Sequence, residues 1–281
     1  MDNVPAYLKW TAGHTQLTDS VRRLSMFCFP FAGGGASIFR EWKADLPAAV
    51  EIHPIQLPGR ENRWGEEPFT NLSVLVEVLI DALDPLFNLP FVFFGHSMGA
   101  LISFEFAKQL QRKTEKKPLH LFISGARAPQ IPDPDPPIHQ LPDEAFIHEL
   151  QRLNGIPEMV LRDAELMGLV LPTLRADVTL CETHEYTADE PLSCPITAYG
   201  GQHDKKINRD HLAGWSSHTS DAFTFRAFPG DHFYLTSCRK LLLRALSAEL
   251  TGILMRMDEE QGVPAHLPTQ EASAGPLRIA D

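Results

Sequence analysis

Cysteine is scarce in this chain. Cys28, Cys181, Cys194 and Cys238 are spread over 281 positions, and no two form a C-x-x-C pair. That spacing offers neither a disulfide framework nor a thiol zinc site, and it fits a reducing compartment. Long apolar runs are missing as well: "LFNLPFVFF" is interrupted by Asn88 and Pro90, far short of a membrane span. The N-terminus, "MDNVPAYLKWTAGHTQ", has no basic segment followed by an apolar one, so no secretory leader is expected. Basic charge is in deficit. The 25 Lys and Arg residues against 36 Asp and Glu leave a net charge of -11, which disfavours nucleic acid and anionic membranes as partners. "HEL" at 148–150 and "HEY" at 184–186 lack the second histidine of a zinc-protease helix. The glycine-rich stretch after Phe31 fits neither G-x-G-x-x-G nor a phosphate loop ending in GK[ST]. These absences point to a soluble, cytoplasmic protein with no metal or cofactor.

What is present is an alternation of short apolar runs and helical patterns. Strands are expected at 24–29, in "VEIHPIQLPG", at 91–94, in "PLHLFISGARAP", in "CPITAYGG" and in "FTFRAFPG". Helices are expected where Ile38, Trp42 and Leu46 fall four apart, over 71–87 with Asn71 as cap, from about 99 to 113, over 143–153 and 158–182, and at 237–257. Strand and helix in turn predict an α/β fold, a mostly parallel central sheet flanked by helices. The stretch 129–191 is longer than one crossover helix needs, so it reads as an inserted helical lid. The whole chain, 1–281, is expected to be one domain with a core of about 22–128 and 192–257. Residues 1–20 read as a weakly structured lead-in, and 258–281 as a disordered tail.

One serine stands out. "FVFFGHSMGALISFEF" places Ser97 between Gly95 and Gly99, where a strand pattern gives way to a helix pattern with Ile102, Phe106 and Leu110 on one face. A nucleophile raised at the end of a strand needs a sharp turn with small flanking residues, and G-x-S-x-G in this context supplies both. The helix that follows aims its N-terminal N–H groups at the site, so Met98 can donate to a developing oxyanion. A serine hydroxyl also needs a base, and the base a carboxylate, in the order Ser, Asp/Glu, His for a sheet of this kind. Asp204 follows the strand in "ITAYGGQHDKK", and His232 follows the next in "FTFRAFPGDHFYL". The rivals fit less well. His203 precedes the acid, Asp231 is too close to the histidine to reach back to Nδ1, and Asp177 falls in the insertion. His96, beside the serine, reads as a packing residue. "FPFAGGGAS" supplies a second oxyanion donor, the N–H of Phe31 or Ala32.

Together "FPFAGGGASIFREW", "PIQLPGRENR", "FFGHSMGALISFEFA", "LFISGARAP", "LPTLRADVTLCETHEY", "YGGQHDKK" and "FPGDHFYL" resemble the type II, external editing thioesterases of nonribosomal peptide and polyketide synthesis, over roughly 22–250. The resemblance implies an α/β-hydrolase fold with a mobile helical lid. It also implies a serine hydrolase that removes acyl or aminoacyl groups from the phosphopantetheine arm of carrier proteins. By position, Ser97 is the nucleophile, His232 the base and acid, Asp204 the orienting acid, and "PFAGG" with Met98 the oxyanion hole. Where relatives often carry two acidic residues, this chain has His203 first, leaving Asp204 as the only acid of the pair. No carrier fold fits in the roughly 20 residues ahead of "TDSV", so the carrier is expected in trans; with no segment devoted to association, the enzyme is expected as a monomer. The apolar residues of the insertion (Leu150, Leu153, Met159, Leu166, Leu169, Leu171) read either as an acyl channel or as the insertion's own core, the core being the default. Medium-chain acyl-carrier hydrolysis and general carboxylester cleavage are the alternative activities. A silent binding module is a third reading, which loss of a triad member would have favoured.

Overall fold

Along residues 91–96 successive side chains point to opposite sides of a strand. Phe91 and Phe93 enter one apolar cluster, and Val92 and Phe94 another. A strand buried on both faces belongs inside a parallel sheet covered by helices. That is the architecture of the computed structural model, which describes residues 6–11, 22–152 and 158–260. In chain order the elements are α1 (Ala6–Trp10), β1 (Leu24–Phe29), β2 (Val50–Pro54), α2 (Leu72–Leu83), β3 (Phe91–His96), α3 (Met98–Lys113) and β4 (Leu121–Ser124). Then come α4 (Asp143–Arg152), α5 (Glu158–Leu161), α6 (Ala164–Glu182), β5 (Ile196–Gly201), α7 (Arg209–Ala213), β6 (Phe223–Phe228), α8 (Tyr234–Ser237) and α9 (Arg239–Glu260).

The strands lie in the order β2-β1-β3-β4-β5-β6, and every neighbouring pair is parallel. The chain steps outward from β1 to β2, then returns to β3 and runs the other way, so the order reverses between β1 and β3. Loops leaving the carboxyl ends of these two strands diverge around a crevice, where open parallel sheets bind their ligands. On one face Leu75, Val76 and Leu79 of α2 join Ile102, Phe106 and Leu110 of α3. On the other face Leu242, Leu243, Leu246 and Leu250 of α9 cover the sheet. Asn71 caps α2 as its position predicts, its side chain accepting the Val74 N–H at 3.1 Å.

Three expectations need correction. The helix expected around Ile38, Trp42 and Leu46 is two 3-10 turns, Ala36–Phe39 and Trp42–Asp45. The buried pair is Phe39 and Trp42, ring centroids 4.9 Å apart, and an i, i+3 pair on one side suits three residues per turn. The single helix expected over 158–182 is split into α5 and α6, because Asp163 caps α6, accepting the N–H groups of Glu165 and Leu166 at 3.0 Å each. The last helix runs to Glu260, and Asp258, expected in the tail, pairs with Arg23. The rest of the tail, and the lead-in apart from 6–11, lie outside the described residues. Helices α4 to α6 fall between β4 and β5 and share a small core of Phe146, Leu150, Met167 and Leu174. Leu171 packs against it, whereas Leu166 and Leu169 are exposed; Leu153 and the Met159 side chain lie outside the described residues.

His120 and His218 are both buried in this framework. Burial, then the charge of Arg256, lowers the pKa of His120 to about 4, against the opposing pull of Asp221. Burial, then Lys108, does the same to His218, with Glu105 opposing. Both are therefore neutral in the folded protein near pH 5, whereas a histidine of the unfolded chain, with pKa about 6.5, takes up a proton there. The unfolded state binds more protons below that value, so stability falls with pH, by about 1–2 kcal/mol at pH 5 for His120 alone. The expected result is a lower urea midpoint at pH 5 than at pH 7, and a smaller pH-dependent drop in His120→Asn than in the parent.

Candidate active site

β3 ends at His96 and α3 begins at Met98, which leaves Ser97 to turn the chain. It does so at φ 54°, ψ -116°. Among the described residues only Ser97 and Glu61 (φ 47°) take positive φ without being glycine. Such a backbone costs on the order of 1–3 kcal/mol and persists where its surroundings impose it. Here they are backbone itself. A Cβ on Gly95 would lie 2.1 Å from Gly99 O, and one on Gly99 would lie 2.1 Å from Phe29 O. Both glycines of the motif are therefore needed for the elbow, the first turn of α3 and the end of β1 to touch. Gly99→Ala is expected to cost about 3 kcal/mol, since no flexible side chain is available to give way, and a lowered urea midpoint will show it.

The acid and the histidine come from the loops after β5 and β6. Asp204 is held tightly: Oδ1 accepts the N–H groups of Lys206 (2.9 Å) and Ile207 (3.1 Å), and Oδ2 lies 2.7 Å from His232 Nδ1. Its side chain is 1% exposed, that of His232 20%. Burial alone would raise the Asp204 pKa. The hydrogen bond and charge of His232, with the two backbone N–H groups, outweigh it and hold the carboxyl below its ordinary value. The loops are locked together where Gly201 passes the histidine loop: a Cβ there would lie 2.2 Å from Asp231 O.

The rivals are placed elsewhere. His203 is exposed, with its N–H donating to Gly230 O at 2.9 Å. Asp231 turns to its own loop, Oδ1 accepting the Phe233 N–H at 2.9 Å. His96 is fully buried, its ring centroid 5.2 Å from that of His232. Its Nδ1 lies 2.8 Å from Ser124 Oγ, which in turn meets the Tyr234 hydroxyl. Burial, and then the charge of His232, push the His96 pKa well below the ordinary value, so its ring stays neutral beside the second histidine.

The loop after β1 lies against the elbow. Gly34 N–H donates to Phe31 O at 2.8 Å, and Gly33 sits at φ 77°, the positive angle that a type II turn demands at this position. A Cβ on Gly99 would also come within 2.7 Å of Pro30 O, so the Pro30–Phe31 peptide, which carries the Phe31 N–H, lies beside Gly99, the second residue of α3. The rest of the loop is anchored from outside. The Ala36 N–H goes to Gln56 Oε1 (2.8 Å), the Gly33 N–H to Asp177 Oδ2 (2.7 Å), and Arg60 Nη1 reaches Gly34 O (3.2 Å). Sequence reasoning missed Arg60, Gln56, Ser124 and Tyr234, and it set Asp177 aside as a residue of the insertion. The one signal for Arg60 is the stretch "PGRENR" within the family resemblance.

Among the described residues no group of three His, Cys, Asp or Glu side chains is placed to hold a metal ion, and no helix is long and apolar enough to cross a membrane. The four cysteines are free.

Comparison with known proteins matches this arrangement to a family. The thioesterase domain model matches residues 25–250. The gramicidin S biosynthesis protein GrsT of Aneurinibacillus migulanus is 48% identical over 236 residues, covering 84% of this chain and 92% of GrsT. Thioesterase PikA5 of Streptomyces venezuelae is 40% identical over 211 residues, 75% of each chain. Among solved structures, RedJ, a thioesterase from the prodiginine biosynthetic pathway in Streptomyces coelicolor, superposes with a TM-score of 0.77 at 36% identity, covering 82% of this chain and 91% of RedJ. With its parallel six-stranded sheet and a serine elbow at the switch point, this chain belongs to the thioesterase family, hydrolases of the α/β-hydrolase fold.

Proposed function

We propose that the protein hydrolyses acyl and aminoacyl thioesters on the phosphopantetheine arm of carrier proteins, clearing misprimed or stalled groups in nonribosomal peptide or polyketide assembly. The observation that carries this reading is the Asp204–His232 pair, 2.7 Å apart, at the same end of the sheet as the strained Ser97 elbow. The names of GrsT and RedJ, each tied to the biosynthesis of such a product, support the pathway. The enzyme works in the cytoplasm as a monomer, meets its carrier in trans and uses no cofactor. The chain is one domain, with 129–191 as its lid.

In this reading Ser97 Oγ attacks the thioester carbonyl carbon while His232 Nε2 takes the hydroxyl proton. Asp204 keeps the other ring nitrogen, Nδ1, protonated and stabilises the imidazolium. The oxyanion receives the N–H of Met98 and that of Phe31 or Ala32. The C–S bond then breaks, the proton on His232 passes to the departing sulfur, and the carrier leaves as a free thiol. Water attacks the acyl-serine through the same base, releasing the acid and restoring Ser97.

The test is mass spectrometric. A carrier protein loaded with acetyl-, aminoacyl- or decanoyl-phosphopantetheine is mixed with enzyme, and free holo-carrier is followed. The expected result is loss of the acetyl and aminoacyl loads. A ranking led by decanoyl makes the enzyme a medium-chain hydrolase. Survival of every load alongside cleavage of a nitrophenyl ester makes it a general carboxylesterase.

A further inference from the structure

Asp177 lies on α6, in the insertion, yet its carboxylate is spent on the loop after β1. Oδ2 takes the Gly33 N–H at 2.7 Å, and both oxygens take the Arg60 guanidinium, Oδ1 from Nη2 and Oδ2 from Nη1, each at 2.7 Å. Arg60, in the loop after β2, also donates Nη1 to Gly34 O (3.2 Å) and Nε to Pro58 O (3.1 Å). Asp177 is 2% exposed and Arg60 5%. One helical turn earlier, Thr173 Oγ1 donates to Gly59 O at 2.7 Å, and Leu174 Cδ2 fills the space a Cβ on Gly33 would need, 2.4 Å away. Two segments distant in sequence, α6 and the loop after β2, thus close on a single turn, residues 31–34.

A buried ion pair is a weak device for stability, since apolar residues of similar size do as well or better. What such residues cannot do is accept an N–H. The carboxylate of Asp177 fixes Gly33, the third residue of the turn that carries the Phe31 and Ala32 N–H groups. The guanidinium cancels the negative charge that would otherwise oppose an oxyanion forming nearby. We infer that Asp177 is a positioning residue through which the insertion holds the oxyanion loop, so that docking of α6 and assembly of the oxyanion hole are one event. This rests on the reading that Phe31 or Ala32 supplies the second oxyanion donor. Displacing α6 by an ångström removes the Gly33 anchor, and an ångström of misplacement at a reacting centre costs about a hundredfold in rate.

The experiment compares the wild type, Asp177→Asn and the double variant Arg60→Met/Asp177→Leu on a small acyl thioester, with thermal unfolding and with the affinity of an alkyl boronic acid, which forms a tetrahedral adduct on the serine. Asp177→Asn is expected to lower kcat about 10- to 100-fold with KM within twofold, short of the loss of a whole oxyanion donor. Boronate affinity is expected to fall in step with kcat/KM. The double variant, which replaces the pair by apolar side chains, is expected to unfold near the wild-type temperature and still be slow. A double variant that recovers both stability and kcat overturns the inference, as does a folded Asp177→Asn with wild-type kcat and boronate affinity. If wild type and Ser97→Ala turn over the thioester equally and neither binds the boronate, the reading of the site fails, whereas Ser97-dependent turnover and boronate binding that are both unchanged in Asp177→Asn overturn the inference alone.

Discussion

Ser97→Ala is expected to reduce thioester hydrolysis by about 10⁴-fold or more with the fold intact. Alanine accepts the elbow's backbone as serine does, having the same unbranched Cβ, and the glycines that enforce the turn are untouched. What disappears is the only atom at the turn able to form an acyl-enzyme. The loss falls in kcat, since the oxyanion donors and the crevice still bind substrate. It is checked by the survival of loaded carrier in the mass spectrum and by loss of covalent fluorophosphonate labelling, with the wild-type unfolding temperature as control. A drop smaller than tenfold would mean that His232 activates water directly and that the serine is a bystander.

Asp204→Asn is expected to be nearly as severe, about 10⁴-fold in kcat. The reason lies in the far oxygen. Oδ1 is fixed by two backbone N–H groups, those of Lys206 and Ile207. An amide in this site therefore keeps its oxygen there and turns its NH₂ toward His232 Nδ1, where the carboxylate offered an acceptor. His232 must then hold its proton on Nε2, the atom that has to receive the Ser97 proton. KM stays near wild type, and the unfolding temperature moves little, because the two backbone hydrogen bonds remain. Steady-state kinetics decide it: a variant retaining a tenth of wild-type kcat would show that Asp204 does not set the tautomer.

The residues of this site that could be read from the sequence share one property. Ser97, Asp204 and His232 each follow a strand that announces itself by its own apolar run, so their convergence at the sheet's carboxyl edge follows from the topology alone. The Arg60–Asp177 pair has no such marker. Its members are 117 positions apart, and Asp177 sits in a helix whose docking depends on side-chain packing that spacing does not encode. The same limit explains the 3-10 turns at 36–45. Ile38, Trp42 and Leu46 read as a helical stripe, but the fold buries Phe39 with Trp42 against Phe94, and tertiary packing overrode the pattern. His96 was legible as a packing residue, whereas its contact with the His232 ring emerges only once β3 and the histidine loop face each other.

The backbone of Ser97 also restricts the chemistry this fold can adopt. At φ 54° an unbranched Cβ is tolerated under strain, but a second heavy atom on Cβ is a genuine outlier. The elbow therefore sorts nucleophiles before any of them reacts. A thiol can inherit the position from the hydroxyl, because cysteine has the same shape at Cβ. Threonine, chemically the nearer relative of serine, is shut out by one methyl group.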